Sequence, residues 1–216
     1  MYLKRNKMLK EWPIARKGTK YITIASHAKN KSIPLVFILR DILKIAKTKK
    51  EANFFVLQGE VKVNNQIRRD VKFPVQVFDV VNLEKAKKNY RLEIVNKKFA
   101  LKEISEKEAE NKIVKIIGKT ILQGKKIQMN LEDGQNFLYK KDFKLGDSVL
   151  LNTKKQIVEK ILPLKKGSKM EVISGKHAGE KGNLKEIINF ERTKQYIIKL
   201  EDKEVGLPFK AILVIG

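Results

Sequence analysis

Thr48-Lys49-Lys50-Glu51-Ala52, then Gly59, then Val61-Lys62-Val63-Asn64-Asn65 is the stretch from which the organisation of this chain is most directly read. Thr48 and Glu51 stand three residues apart, the spacing of a capping box, in which a hydroxyl and a carboxylate satisfy free backbone N–H groups at a helix start. The spacing predicts a helix opening at Thr48 and stopped by Gly59 as a C-cap. Val61 and Val63 then alternate with Glu60 and Lys62, and Asn64-Asn65 supply turn residues. Ile67 opens a return segment running into Arg68-Arg69-Asp70, which together read as a β-hairpin.

Upstream, Leu35, Val36, Ile38, Leu39, Ile42, Leu43 and Ala46 recur at helical spacing, with Arg40, Lys44 and Lys47 on the opposite side. The first 31 residues mix cations with Gly18, Ser26 and Asn30 and read as an extended basic arm. Trp12 and Tyr21 lie in it, either to stack on bases or sugars or to pin the arm to its own domain. Downstream of Pro74 the apolar run 75–83 reads as one strand, and 85–89 as a polar boundary. Strands are predicted over 90–95, 99–104, 113–122, 127–131, 136–139 and 148–152, with Glu132-Asp133-Gly134 and Gly146-Asp147 as turns. A short helix is capped at Ser105-Glu106-Lys107-Glu108. After Pro163, short strands alternate with Gly167, Gly175, Gly179, Gly182 and Gly206, the pattern of a small barrel.

Charge narrows the partners. The 216 residues carry 48 Lys+Arg against 24 Asp+Glu, a net +24. Residues 1–50 hold +12 of this, followed by +4 for 51–100, +2 for 101–150 and +6 for 151–216. Self-repulsion of this size calls for a polyanion, and nucleic acid is the leading one. The absence of Cys removes disulfides, thiolate zinc sites and Cys nucleophiles, and suits a reducing compartment. The longest apolar run, seven residues over 33–39 and containing Pro34, is too short to span a bilayer. The N-terminal stretch develops no signal-peptide core. The expected location is cytoplasmic.

The helix, capped helix and hairpin resemble the alpha-L RNA-binding motif, whose pattern is Ser/Thr-basic-x-Glu-Ala, Gly, Val-x-Val-Asn-Gly, with Asn65 here in place of the usual Gly. Further on, Arg68-Arg69-Asp70-Val71-Lys72-Phe73-Pro74-Val75 and Asp79-Val80 resemble the Arg-Thr-Asp-x-x-Tyr-Pro-Val and Asp-Val pattern of the archaeal and eukaryotic small-subunit ribosomal protein family S4e. Arg69 and Gln76-Val77-Phe78 depart from it. The resemblance continues through Glu132-Asp133-Gly134, a KOW-like run over 171–182 and the terminal Val214-Ile215-Gly216. It implies an α+β chain with four parts: a basic N-terminal arm over 1–31, an alpha-L module over 32–88, a β-rich central domain over 89–162, and a KOW-type, SH3-like β-barrel over 163–216.

The function implied by the resemblance is that of a structural protein of the small ribosomal subunit, without cofactor, membrane or small-molecule substrate. Its partners are ribosomal RNA and neighbouring ribosomal proteins in the cytoplasm. The expected contacts are Lys4, Arg5, Lys7, Arg16 and Lys17 threading between RNA helices, and Arg40, Lys49, Lys50, Arg68 and Arg69 clamping a backbone. Lys176, His177 and Lys181 are expected to touch RNA or a neighbouring protein, although His177 also reads as an ordinary exposed loop histidine. Basic side chains supply affinity through phosphate neutralisation, and folded modules select RNA shape. A KOW-containing transcription elongation or termination factor and an RNA-modifying enzyme with an alpha-L domain are the alternatives. For the latter, Arg91-Leu92-Glu93 is set against the Arg-Leu-Asp of pseudouridine synthases; Glu93 carries an extra methylene, and Ile94-Val95-Asn96 does not fit the Ser/Thr-Gly-Leu stretch of those enzymes. His27 and His177 form no recognisable catalytic or ligand spacing, and no phosphate-loop pattern occurs.

Overall fold

A computed structural model describes residues 2–140, 142–190, 194–200 and 203–216. The chain divides into two compact units, Met1–Glu110 and Asn111–Gly216. Among the described residues no helix is long and apolar enough to cross a membrane.

In the first unit the N-terminal segment is folded rather than extended. Strand β1 (Tyr2–Lys4) pairs antiparallel with β2 (Tyr21–Thr23). Between them Trp12 is only 2% exposed, its indole N–H donates to the Ser32 carbonyl at 3.0 Å, and its ring lies 5.3 Å from that of Phe37. Of the two roles open to Trp12, the pin is the one observed. An indole with its N–H satisfied is among the largest apolar contributions a side chain makes to a core.

Strand β3 (Ser32–Pro34) pairs with β6 (Pro74–Gln76) and leads into helix α1 (Leu35–Phe37). Backbone N–H groups of Leu35 and Val36, free in an isolated helix start, donate to the carbonyls of Phe73 and Val71 at 3.0 and 2.9 Å. The helix continues as a π-turn over Ile38–Ile42, with Leu43 N–H on Ile38 O, and stops where Lys44 adopts a φ of +54°. It is therefore shorter than the apolar spacing to Ala46 predicts, although Ala46 is still buried.

Helix α2 (Lys49–Leu57) is capped at both ends. Gly59, at φ +79°, sends its N–H to Val56 O, and Glu60 N–H reaches Phe55 O, the paired bonds of a Schellman stop. The hairpin of β4 (Val61–Val63) and β5 (Gln66–Ile67) turns on Asn64 and Asn65, both at positive φ (52° and 61°), as a two-residue type I′ turn requires. The predicted single strand over 75–83 is broken in two. Phe78 sits at φ +67° and Asp79 Oδ2 accepts the Gln76 N–H at 2.7 Å, bending the chain between β6 and β7 (Val80–Leu83).

Strands β8 (Lys88–Val95) and β9 (Lys98–Ile104) complete a sheet of order β5-β4-β7-β8-β9. These strands, expected at the start of a central domain, are thus hydrogen-bonded into the first unit, where Leu92 and Ile94 are buried. Helix α3 (Glu106–Ala109), capped by Ser105, ends the unit.

The second unit contains two five-stranded sheets. The first has the order β12-β11-β10-β13-β14, built from β10 (Asn111–Ile121), β11 (Ile127–Leu131), β12 (Asn136–Leu138), β13 (Ser148–Asn152) and β14 (Ile157–Leu162). Strand β14 is absent from the sequence prediction, because Glu159 and Lys160 break the alternation. A register shift between Ile116 and Gly118 lets the long β10 serve both β11 and β13, around a core that includes Ile116, Met129, Leu131 and Val149. The second sheet is a meander of β15 (Lys169–Val172), β16 (Lys181–Asn189), β17 (Lys194–Lys199) and β18 (Glu204–Pro208), with β19 (Ile212–Val214) returning beside β15. Met170, Val172, Leu184, Ile198 and Ile212 fill its core.

Polar ties cross between the two sheets. Lys115, 2% exposed in β10, donates to the carbonyls of Phe209 and Ile212, the latter at 3.0 Å, and its Nζ lies 3.6 Å from the Phe209 ring centroid. Ser148 Oγ accepts the Val214 N–H, and in the connection between the sheets the Leu164 N–H donates to Asp147 Oδ1.

Candidate nucleic-acid interface

Arg5 organises the tip of the β1–β2 arm. Its Nε and Nη2 donate to the Thr19 carbonyl and hydroxyl at 2.7 and 2.9 Å, and Nη1 donates to Ala15 O. Gly18, at φ +139°, lies so close that an added Cβ would stand 3.1 Å from the Arg5 Cζ. The guanidinium expected to thread into RNA is engaged within the protein, where it holds the 15–19 loop in shape. The side chains of Lys4, Lys7, Arg16 and Lys17 are exposed and form no hydrogen bond or ion pair among the described residues. Lys4, Arg16, Lys17 and Lys20 line one open depression around this loop. Lys20 was missed from sequence, because its place beside Lys4 depends on the pairing of Lys4 with Tyr21. Tyr21 stays exposed, with Lys20 Nζ 5.6 Å from its ring centroid.

At the second basic site, Thr48 Oγ1 accepts the Glu51 N–H at 3.2 Å. The Glu51 carboxylate accepts the Lys47 N–H at 2.7 Å, and that bond above all holds its pKa below the usual carboxylate range. Lys50 is exposed and unpaired, whereas Lys49 lies 5.8 Å from the Tyr2 ring centroid. Arg40 is ion-paired with Asp41 at 2.9 Å and rests over Phe37, so it is largely engaged within its own unit.

The hairpin is tied to the rest of the sheet through Asn64, whose amide donates to Asp79 Oδ1 at 2.8 Å and accepts the Val80 N–H at 2.9 Å. A glycine at the first turn position would lose both bonds. Arg68 and Arg69, neighbours in sequence, have different surroundings. Arg68 is half-buried, with its Cζ 4.4 Å from the Phe73 ring centroid and an Nη2 hydrogen bond to Gln66 Oε1. Burial pulls its pKa down, opposed by the charge of Asp79. Its Nε is buried without a hydrogen-bond partner. Arg69 is exposed and unpaired. With Ile67, Asp70 and Phe73 the two arginines line an open depression.

The third site, in the second unit, is the glycine-rich loop between β15 and β16. Gly175 and Gly179 hold φ values of +96° and +91°, a conformation open to glycine at little cost. The N–H groups of Ala178, Gly179 and Glu180 donate to Gly175, Val172 and His177 carbonyls, so these donors turn inward rather than toward a ligand. His177 Nδ1 lies 3.0 Å from Glu180 Oε2, and Lys181 is 3.6 Å from the buried Glu171 carboxylate. Lys176 alone of the three expected contacts here is exposed and unpaired.

The Arg91-Leu92-Glu93 stretch has a structural account. It lies within β8, where Leu92 is buried and Arg91 Nη2 donates to Glu108 O at 2.9 Å. Among the described residues no group of three or more His, Asp or Glu side chains is placed to hold a metal ion.

Two family models match the chain: ribosomal family S4e over residues 77–158 and the S4 domain over residues 34–81. The small ribosomal subunit protein eS4 of Methanosphaera stadtmanae is 38% identical over 94% of this chain and 86% of that protein. Its counterpart of the same name in Archaeoglobus fulgidus is 34% identical over 100% of this chain and 93% of its own length. Among solved structures, that of the 30S ribosomal protein S4e from Thermoplasma acidophilum matches with a TM-score of 0.75 and 25% identity, covering 87% of this chain and 96% of that one.

Proposed function

The chain belongs to ribosomal family S4e, and on that premise we propose that it is a structural constituent of the small ribosomal subunit that binds ribosomal RNA and supports translation. The single observation that carries this reading is identity of more than a third with a small-subunit protein along nearly the whole chain. The physical features agree with it. Half of the net charge of +24 lies in the first 50 residues, whose cations include exposed side chains with no internal partner. Such cations release counterions from a phosphate backbone when they bind, which supplies affinity without sequence preference.

On this reading the folded arm and the alpha-L module over 32–88 grip RNA together. Lys4, Lys7, Arg16, Lys17, Lys50 and Arg69 contact the backbone, while Arg5 and Arg40 shape the surface from behind. The segment 163–216 serves as a KOW-type barrel presenting Lys176 to RNA or a neighbouring protein, preceded in the chain by the β-rich scaffold that opens at Asn111. The protein acts in the ribosome in the cytoplasm and has no catalytic role.

Co-sedimentation of the tagged protein with small ribosomal subunits in a high-salt gradient tests the reading. Migration with RNA polymerase, or retention at the top of the gradient, refutes it. Reversing the charges of Arg16, Lys17, Lys50 and Arg69 together should also flatten the plot of log affinity for RNA against log salt. The expected loss is about 0.9 in slope per phosphate contact removed from a duplex. An unchanged slope removes these residues from the contact surface.

A further inference from the structure

Arg68 is poorly explained as a phosphate clamp. Its guanidinium lies over the Phe73 ring, 4.4 Å from the centroid, and is tethered at one edge by Gln66. Phe73 is itself braced by the edge-on ring of His27, with centroids 5.7 Å apart. Internal contacts satisfy the guanidinium only in part: the Asp79 charge favours the cation, Gln66 accepts from Nη2, and the buried Nε has no hydrogen-bond partner. The side chain is half-buried and, together with Ile67, Arg69, Asp70 and Phe73, lines an open depression.

The chemistry of the rim is that of a base site rather than a phosphate site. Asp70 places a carboxylate on the depression, with one oxygen held by the Lys72 N–H at 2.8 Å, and a negative charge there opposes a phosphate inside. Exposed Ile67 adds apolar surface, while unpaired Arg69 offers a cation at the margin. A nucleotide satisfies all of these when its base enters and its phosphate stays outside on Arg69. Unpaired RNA bases stack on guanidinium planes as they do on aromatic rings. From this geometry we infer that Arg68, backed by Phe73, is a stacking platform for a single unpaired nucleobase of the bound RNA. The inference rests on the RNA-binding reading above and adds to it a site that distinguishes looped or bulged RNA from a continuous duplex.

The test uses the full chain and three RNA hairpins of equal stem length: one fully paired, one with a single bulged adenosine, and one with an abasic bulge at the same position. The bulged-adenosine hairpin should bind more tightly than the other two by about 5- to 150-fold, the range set by base stacking worth about 1–3 kcal/mol. Arg68→Lys keeps the charge and removes the plane, so it should abolish this difference while leaving affinity for the paired hairpin and its salt slope unchanged. Equal binding of all three hairpins by the wild-type chain overturns the platform and leaves the RNA-binding reading standing. Failure to bind any of them overturns the RNA-binding reading itself. The wild-type comparison does not depend on the variant's folding.

Discussion

Replacing Lys115 with Met removes an ammonium but keeps an unbranched stem of similar length in the same buried slot. The structure predicts a substantial cost. The Phe209 and Ile212 carbonyls both lose a charged donor at a position that is 2% exposed, and a buried acceptor left without a partner costs about 1–3 kcal/mol. Loss of the cation at 3.6 Å from the Phe209 ring removes up to about 2 kcal/mol more. Against this, the variant no longer has to strip water from an ammonium, a penalty of several kcal/mol per buried ion in real proteins. The net expectation is a destabilisation of about 2–4 kcal/mol. Urea denaturation followed by circular dichroism reads it as a lowered midpoint with an unchanged slope. A loss below about 0.5 kcal/mol, the scale of an ordinary surface substitution, would refute the assignment of Lys115 as a stabilising tie between the two sheets of the second unit.

Three further substitutions and one titration probe other parts of the fold. Gly182→Ala should destabilise the chain by about 1–3 kcal/mol, the usual cost of overpacking, because its Cβ would stand 2.4 Å from the Lys199 carbonyl oxygen. Gly206→Ala, whose Cβ meets only the flexible Gln195 side chain at 3.3 Å, should cost much less, and thermal melts of the pair test the contrast. Thr48→Ala removes the hydroxyl that caps α2 and should lower stability by about 1 kcal/mol; a silent substitution would show that the cap contributes nothing. The Glu51 carboxyl, held below its ordinary value chiefly by the Lys47 N–H, stabilises the native state fully above its unfolded pKa. That contribution is lost as pH falls through the lower, folded pKa. An NMR titration should place its midpoint below that of an unfolded-chain glutamate.

What could be read from the chain was local. The Thr48 cap, the Gly59 stop and the Asn64-Asn65 turn are each specified within a few residues, and all three stand where the spacing puts them. What could not be read depends on distant partners. The break at Phe78 is held by a backbone bond to Leu92, and the π-turn after α1, closed by Leu43 N–H on Ile38 O, leaves no mark in the apolar periodicity. The same division runs through the basic residues. A cation is recognisable in sequence, but whether it is free to meet a phosphate depends on what lies beside it. Arg5 and Thr19 are fourteen residues apart, and only the pairing of Tyr2–Lys4 with Tyr21–Thr23 brings the loop back onto the guanidinium. Adjacent Arg68 and Arg69 look equivalent as letters, yet one is packed on an aromatic ring and the other is open.

The burial of Trp12 moves the physical beginning of the first unit well ahead of residue 34, where the S4 domain match begins. A fragment cut at that match would lose the indole that packs on Phe37, together with the Ser32 carbonyl to which it donates, and leave Phe37 without its aromatic neighbour. Because the chain has a single tryptophan, its intrinsic fluorescence is also a native optical probe of one event, the docking of the basic arm. Shifts in its emission maximum report whether the arm is seated or released, with no label attached.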